Sequence, residues 1–503
     1  MNQSSAFDRK RRRIGLFLSP LCALLLFLTP IPELTPAAHK VLAIMCLVAL
    51  WWITEPIPIP VTALVGPTLA VITGVMPASK AFAAFANPLI FLFIGGFLLA
   101  TAMMHNHLDR RFAFWLLSRS WVGSNPKRIM LAIGLATALC SGWVSNTATV
   151  AMMFPIATGL LMAIKDMFAH HGKHIDLHKH KYATGLMLMT AYAASTGGVL
   201  TPIGTAPNMI MLGFLGQMAS IHITFFEWMI WGAIASIIYF CLAYIVIIRQ
   251  YPLEVGEIEG AQEFIDKRRR ELGPWTRAQK NTVLAFLVAI VLWILPGVFG
   301  IWLGPDHVVT TMYNQLFPES MAAMTGALLL FFLPVNVKKM QYTLAWKEAV
   351  QGVEWGTILL FGGGLAMGSM MYATGLSDWF GGLIIESLGG NPSEIVLIAV
   401  FSVLSLLLSE LTSHTAATNM IGPLGIMTAM AAGLPPAPVA VAIALSSSLG
   451  FMLPVSTPPN AIVYASGYIP LTKMIKTGFY IDLIGIALVT IPLALYLVKW
   501  VVS

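Results

Sequence analysis

The sequence predicts an all-α polytopic membrane protein built from two inverted repeats, and three observations carry that expectation. The first is composition. Of 503 residues, 57% are hydrophobic and only 10% charged, with a mean hydropathy of +0.80. A soluble globular chain carries about 25% charged residues, so this one is expected to span a bilayer many times. The second is a set of three short motifs that occurs twice in the same order. The third is charge, because one topology puts 26 of the 29 Lys and Arg residues in loops on the same side.

Composition also excludes functions. The net charge is +7, but the basic residues lie in short loops and form no face or stripe, so nucleic acid is not an expected partner. Cys22, Cys46, Cys140 and Cys241 stand singly in apolar runs, without metal or redox spacing. They are expected to be buried small hydrophobes. Residues 9–13 are basic and 14–28 apolar. Many further spans follow, so this pair reads as a cytoplasmic anchor and first transmembrane helix rather than a signal peptide.

A span needs ~20 apolar residues. In order, the candidates are 14–30, 41–54, 57–76 and 88–104. An amphipathic piece at 107–121 precedes a long apolar stretch, 129–164, interrupted near its middle by Ser145-Asn146-Thr147. Next come 183–215, broken at 201–208, and 225–248; the charged loop 249–280 closes the first half. The second half gives 282–299, 321–334 and 357–374, then 395–432 interrupted by Ser413-His414-Thr415. The last two are 438–467, broken at 454–460, and 479–498. If the two interrupted stretches are re-entrant hairpins, about 11 transmembrane helices remain.

Charge tests the hairpins. With the N-terminus inside, loops 9–13, 110–128, 165–181, 249–280, 338–347 and 473–476 are all internal, and only Lys40, Lys80 and Lys499 fall elsewhere. That is the asymmetry the positive-inside tendency demands. Were each interrupted stretch a single span, the loop 249–280 would face outward. The first hairpin therefore opens inward and the second outward. The domains follow: a cytoplasmic basic segment 1–13, a first repeat 14–250 (hairpin 128–165, broken helix 183–220), a cytoplasmic linker 251–280 and a second repeat 281–503 (hairpin 393–432, broken helix 438–469).

The repeat itself rests on three pairs. Phe93-Ile94-Gly95-Gly96 matches Leu360-Phe361-Gly362-Gly363, Ser145-Asn146-Thr147 matches Ser413-His414-Thr415, and Thr205-Ala206-Pro207-Asn208 matches Thr457-Pro458-Pro459-Asn460. The second Gly and the triplet Ser are 49 residues apart in one half and 50 in the other. From that Ser to the Thr of the last motif the gap is 60 against 44, and the His-rich loop of the first half accounts for much of the difference. Pro202 and Pro207 each remove a backbone donor and Gly204 tolerates unusual torsions, so residues 201–208 cannot run as continuous helix; 454–460 behaves likewise. Each break frees carbonyls for a cation and creates a half-helix N-terminus that favours an anion. Inverted repeats with broken helices near the midplane are the arrangement of many secondary transporters. No motif offers Lys or Arg, so an anion would be held weakly by hydroxyls, amides, helix ends and co-bound cations.

These motifs resemble the divalent anion/sodium symporter (DASS) family of di- and tricarboxylate carriers over nearly the whole chain. The resemblance implies a homodimer in the bilayer, with a fixed scaffold and a transport domain that moves like an elevator. Its cargo would be a di- or tricarboxylate anion, with Na+ as the coupled ion and no organic cofactor. By position, Asn146, Thr147 and Thr205 would contact a carboxylate from the first half, and Ser413, His414, Thr415, Thr457 and Pro458 from the second. One sodium would use Ser141, Ser145, Asn146 and Gly204. A second would use the region of Ser409, Thr412, His414 and Ser456. The family location is the cell (inner) membrane, multi-pass, with a cytoplasmic N-terminus.

His414 departs from the pattern, since the symporters carry Asn there. A cationic imidazole could stand in for the second sodium and make the protein a sodium-independent dicarboxylate exchanger; a neutral one would only replace the amide hydrogen bond. Sodium-coupled symport of a succinate, malate, fumarate or 2-oxoglutarate-like anion is the expectation, and exchange the alternative. An anion channel would need a continuous polar path, whereas polar groups cluster at one depth. An enzyme is not expected: there is no His-Glu-x-x-His and no acidic pair on one helix. Glu410 beside the second triplet is a candidate for coupling or for capping a helix end. His170, His171, His174, His178 and His180 match no ligand spacing and read as a solvated interfacial segment. The run 267–270 reads as an anchor near anionic lipid.

Overall fold

The computed structural model describes residues 6–252, 257–304 and 306–501. Positions 1–5 of the basic N-terminal segment, 253–256 of the linker and 502–503 of the second repeat lie outside the described residues. Among the described residues the chain is helical almost throughout, with one sheet, a two-stranded ribbon of Pro334–Asn336 against Gln341–Tyr342.

Both interrupted stretches fold as helix pairs with a tight turn at the triplet. The first comprises Pro126–Ser141 and Asn146–His170, the second Glu394–Leu411 and His414–Ala431. Ser145 and Ser413 stand at the N-caps of the returning helices, where extended backbone lets a short polar residue precede the first helical turn. The broken helices are Lys181–Gly198 with Ala206–Phe214, and Pro436–Ser447 with Pro458–Ala465. Thr205 and Thr457 are extended N-caps, at φ −146° and −154°, and each is followed within two residues by Pro, which suits the start of a helix.

The first arms of the broken helices are the centre of the molecule. Every residue from Tyr182 to Gly198, and from Ala437 to Ser447, is buried. Each first arm packs against both helices of its own hairpin. The second arms cross over: Ala206–Phe214 packs on His414–Ala431 and Pro436–Ser447, while Pro458–Ala465 packs on Asn146–His170 and Lys181–Gly198. The same hydrogen bonds also recur. Asn208 Nδ2 donates to the carbonyls of Gly198 (3.1 Å) and Thr201 (2.8 Å), and Asn460 Nδ2 to those of Gly450 (3.0 Å) and Leu453 (3.1 Å). In both halves the accepting carbonyls lie ten and seven residues upstream, so each Asn ties its break into a fixed loop.

Around this centre, Pro88–His105 packs on Glu319–Phe332, and Trp355–Thr374 on Ile59–Ile72. The glycine motifs permit these crossings. A methyl at Gly95 would sit 2.8 Å from the Ala323 carbonyl carbon, and one at Gly363 would collide with the Ala63 carbonyl oxygen. The motifs also approach each other, with the rings of Phe93 and Phe361 edge-on at 5.3 Å.

Among the described residues eight helices are long and apolar enough to cross a membrane, or nine if the bent pair Val308–Leu316 and Glu319–Phe332 counts as one span. Two of the eight, Asn146–His170 and Glu394–Leu411, are hairpin arms, so fewer full spans remain than expected, because Ile59–Ile72 and the broken-helix arms Ala206–Phe214, Pro436–Ser447 and Pro458–Ala465 are individually short. Three local expectations need correction. The stretch 249–280 is not a plain loop, since Ala261–Glu271 is a helix whose Ala261 and Ile265 are buried. The span at 321–334 begins earlier and is bent by 55° at Phe317–Pro318. Of the four cysteines only Cys140 is buried, and Cys241 is exposed; an apolar helix facing lipid has no need to hide a thiol.

Candidate functional site

The two hairpin tips and the two breaks meet around one cavity of about 220 Å3. Ser145, Asn146 and Thr147 line it from the first tip, and Ser413, His414 and Thr415 from the second. Gly204, Thr205 and Ala206 contribute from the first break, and Ser456, Thr457 and Pro458 from the second. All eight residues expected to touch substrate therefore share one wall system. Ser141, Ser409 and Thr412 lie behind it, buried.

Four helix N-termini converge on this space: Asn146–His170, Ala206–Phe214, His414–Ala431 and Pro458–Ala465. Unsatisfied backbone N–H groups and the positive end of each dipole point where an anion would sit. The hydroxyls of Ser145, Thr205 and Thr457 do not cap their own helices, so they remain available to a ligand. Ser413 differs, accepting from Ala416 N at 3.2 Å. Among the described residues no Lys or Arg lines the cavity.

Behind the first tip, oxygens converge. Ser141 Oγ donates to Asn146 Oδ1 at 2.6 Å, and Thr201 Oγ1 to the Gly142 carbonyl at 2.5 Å. A methyl at Gly204 would stand 2.5 Å from the Gly198 carbonyl oxygen and 3.1 Å from that of Gly142. Thr149 Oγ1 and Asn208 Oδ1 are buried without partners. An all-oxygen donor set of this kind suits a hard cation.

The second tip is built differently. Ser409 Oγ donates to the Ser447 carbonyl at 2.7 Å, Ser456 Oγ to the Gly450 and Leu453 carbonyls at 2.7 Å each, and Thr412 Oγ1 back to Leu408 O at 2.8 Å. His414 Nε2 is buried with no hydrogen-bond partner, and no carboxylate stands within 4.0 Å of the ring among the described residues. A buried charge is costly unless paired, so this setting favours neutral imidazole.

Two buried carboxylates hold the turn beneath. Glu410 accepts from the Met452 and Leu453 amides at 2.7 and 2.9 Å, and Asp482 from those of Gly450 and Phe451 at 3.2 Å each. Glu410 thus caps four consecutive free amides together with a partner 72 residues away. Sequence reasoning missed Asp482, though a lone carboxylate in an apolar run was a signal for it. It also missed four contributors to the cavity wall: Phe93, Phe97, Glu354 and Thr357. Glu354 is exposed and accepts from Thr357 Oγ1 at 3.1 Å, which puts one carboxylate at the rim.

The His-rich segment carries no metal-like cluster among the described residues. The helix Asn146–His170 runs further into it than expected, and the His178 ring stacks on Tyr468 at 4.8 Å.

With this geometry in place, comparison with known proteins decides the family. The chain matches the family described as the sodium:sulfate symporter transmembrane region over residues 10–502. The protein belongs to this family of membrane transporters. It is 33% identical over 482 residues to a sodium-dependent dicarboxylate transporter of Staphylococcus saprophyticus, covering 95% of this chain and 90% of that relative. It is 32% identical over 497 residues to the transporter of the same description in Staphylococcus aureus strain USA300, covering 97% and 92%. Two solved transporters share the fold at low identity. One is YdaH of Alcanivorax borkumensis, with TM-score 0.57 and 15% identity over 97% of this chain and 98% of that one. The other is MtrF of Neisseria gonorrhoeae, with TM-score 0.53 and 14% identity over 94% and 97%. Membership places the chain among transporters and not among enzymes.

Proposed function

We propose that this family member is a sodium-coupled symporter of small dicarboxylates, of the succinate, malate, fumarate or 2-oxoglutarate class. The observation that carries the reading is the convergence of four helix N-termini on one small cavity without Lys or Arg. Each N-terminus is worth ~0.3–1 kcal/mol toward a negative charge. Together they hold a dianion firmly enough to select it and loosely enough to let it leave. The cavity is smaller than the ~300–1,000 Å3 of drug-sized sites, as a four- to six-carbon acid requires. Asn146, Thr147 and Thr205 take one carboxylate, and Ser413, His414, Thr415, Thr457 and Pro458 the other.

A sodium ion then occupies the oxygen cluster of Ser141, Ser145, Asn146 and the backbone near Gly204, adding the positive charge that the side chains lack. Ser409, Thr412 and Ser456 make a weaker second site, because His414 stands where the first tip has the Asn146 amide oxygen, and an imidazole ring offers no oxygen to a hard cation. The sodium-dependent relatives support coupling. The recurring hydrogen bonds and crossed arms support two matching repeats, and the Lys and Arg asymmetry of the loops supports their inversion, with hairpins opening to opposite faces of the cell membrane and a cytoplasmic N-terminus. A homodimer moving by an elevator stroke completes the reading.

One observation favours a second reading. The unpartnered His414 Nε2 stands where the symporters carry an amide and on the cavity wall; a bound carboxylate would supply the anionic partner that a protonated ring needs, and the protonated ring would then replace the second sodium in an exchanger. Uptake of labelled succinate into proteoliposomes, with and without external sodium and with and without internal succinate, separates the two. Symport requires sodium and proceeds into empty vesicles. Exchange requires internal dicarboxylate and ignores sodium. Non-saturating flux along the gradient would indicate a channel and overturn both.

A further inference from the structure

A second cavity, about 590 Å3, lies away from the tips and has a different chemistry. One wall is the first hairpin, through Leu139, Cys140 and Trp143; the opposite wall is the helix Arg277–Leu303, through Phe286, Leu287 and Ile290. Its mouth is closed by the amphipathic helices Leu108–Leu117 and Ala261–Glu271, which bring Arg111 and Arg269, and by Trp275. The lining is apolar apart from the two guanidinium groups, which sit together at the loop end.

Those two charges are uncompensated. Arg111 Nη2 donates to the carbonyls of Leu272, Gly273 and Pro274 at 2.9, 2.9 and 3.2 Å, and its guanidinium stacks on Trp275 at 5.0 Å. Its Nε is buried and makes no hydrogen bond. Arg269 Nη1 donates only to Ser118 Oγ, at 3.0 Å. Among the described residues neither has a carboxylate within 4.0 Å. Arg111 is half-buried and Arg269 exposed, so the first bears a desolvation cost that an anion would answer, and the second is open to an approaching head group. Carbonyl oxygens and a ring face reduce that cost and leave the charge in place.

We propose that this crevice binds an anionic phospholipid of the leaflet facing the 249–280 segment, with its phosphate on Arg111 and Arg269. One acyl chain would run between Leu139 and Leu287 toward Trp143. The aromatic residues at the mouth, Trp115 and Trp275, are exposed and sit as interfacial anchors do. Arginine chemistry selects the head group, because a planar guanidinium matches phosphate oxygens. Apolar walls select the chain, so free phosphate would not substitute. The lipid would bridge the hairpin to a helix outside the tip cavity. Its binding does not depend on which anion the protein transports.

The test uses the full-length protein in neutral detergent, with phosphatidylglycerol or phosphatidylcholine added, read by native mass spectrometry and by thermal unfolding. Arg111 also caps the chain at 272–274, so its loss could perturb folding. The variants are therefore Arg269→Glu and Leu287→Trp, the second filling the crevice from an exposed lipid-facing position. The expected result is a preference of roughly 30-fold for phosphatidylglycerol, the size two arginines give near an anionic head group. That preference falls to near parity in both variants, while unfolding in phosphatidylcholine is unchanged. Equal binding of the two lipids by the unaltered protein overturns the proposal. So does a phosphatidylglycerol preference that survives both substitutions, which would mean diffuse surface charge. Dimer mass without lipid adducts, abolished by Leu287→Trp, would assign the crevice to a second copy of the chain and also overturn it.

Discussion

At the scale of single residues, two side chains carry distinct predictions. His414 stands at the second tip where Asn146 stands at the first, yet the two differ in what they offer. Asn146 Oδ1 accepts from Ser141 and remains part of an oxygen cluster, while His414 presents a ring nitrogen with no partner. His414→Asn would restore an amide oxygen beside Ser409. Sodium activation of uptake is expected to become steeper in this variant; an unchanged sodium response would remove the histidine from coupling. Asp109 makes a separate point about pH. It lies on the amphipathic helix Leu108–Leu117, outside the spans, and burial pushes its carboxyl up from 3.8 to about 6. A raised carboxyl favours the neutral form in the fold, so stability is full at pH below the unfolded value and is lost as pH rises toward 6. By linkage the loss is roughly 3 kcal/mol above that window. Asp109→Asn is therefore expected to unfold at higher temperature than the parent at pH 7.5, and by only about a third as much at pH 4.5, where most of the loss has yet to appear. An equal difference at both pH values would show that ionisation is not the cause.

At the scale of elements, the hairpins and breaks were legible because their punctuation is chemical. Pro, Gly and hydroxyl residues inside apolar runs leave few alternatives to a turn, and a repeated motif fixes which turns correspond. The crossing of the second arms was not legible. Ala206–Phe214 and Pro458–Ala465 are short apolar helices, and nothing local says whether each packs on its own half or on the other. Only mutual burial decides that. The helix within 249–280 was missed for a related reason, since its apolar face is only Ala261, Phe264 and Ile265, and charge dominates the rest. Cavity residues such as Phe97 and Glu354 were invisible because no motif contains them, and Phe93 was read only as part of the glycine motif. The second turn adds a prediction here. In the first half Gly142 occupies the position after the repeated Ser, where the second half has Glu410, so only the second turn hangs on carboxylates. Glu410→Gln replaces one of two accepting oxygens with a donor facing an amide. A loss of ~1–3 kcal/mol is expected, with weaker sodium activation, read by thermal unfolding and by uptake. Unfolding indistinguishable from the parent would show that the turn holds itself.

At the scale of the whole molecule, the elevator reading requires the hairpins to move against helices outside the tip cavity. Two surfaces already border that division. Leu139 on the first hairpin and Leu287 on Arg277–Leu303 face the same crevice, and both are exposed, so cysteines there need displace no packed neighbour. In a background lacking Cys22, Cys46, Cys140 and Cys241, Leu139→Cys with Leu287→Cys can be joined by a short bifunctional thiol reagent that reduction cleaves. Neither residue lines the tip cavity, so binding survives joining while the stroke does not. The expected outcome is loss of uptake and of exchange with retained succinate protection against unfolding, both fluxes returning on reduction. Each single cysteine treated alike should be unaffected, which separates tethering from simple modification. Full exchange in the joined protein would mean that the hairpin and Arg277–Leu303 travel together. The moving boundary would then have to run elsewhere, and the crossing of Trp355–Thr374 with Ile59–Ile72, closed by Gly363 against Ala63, is the next surface of the same kind.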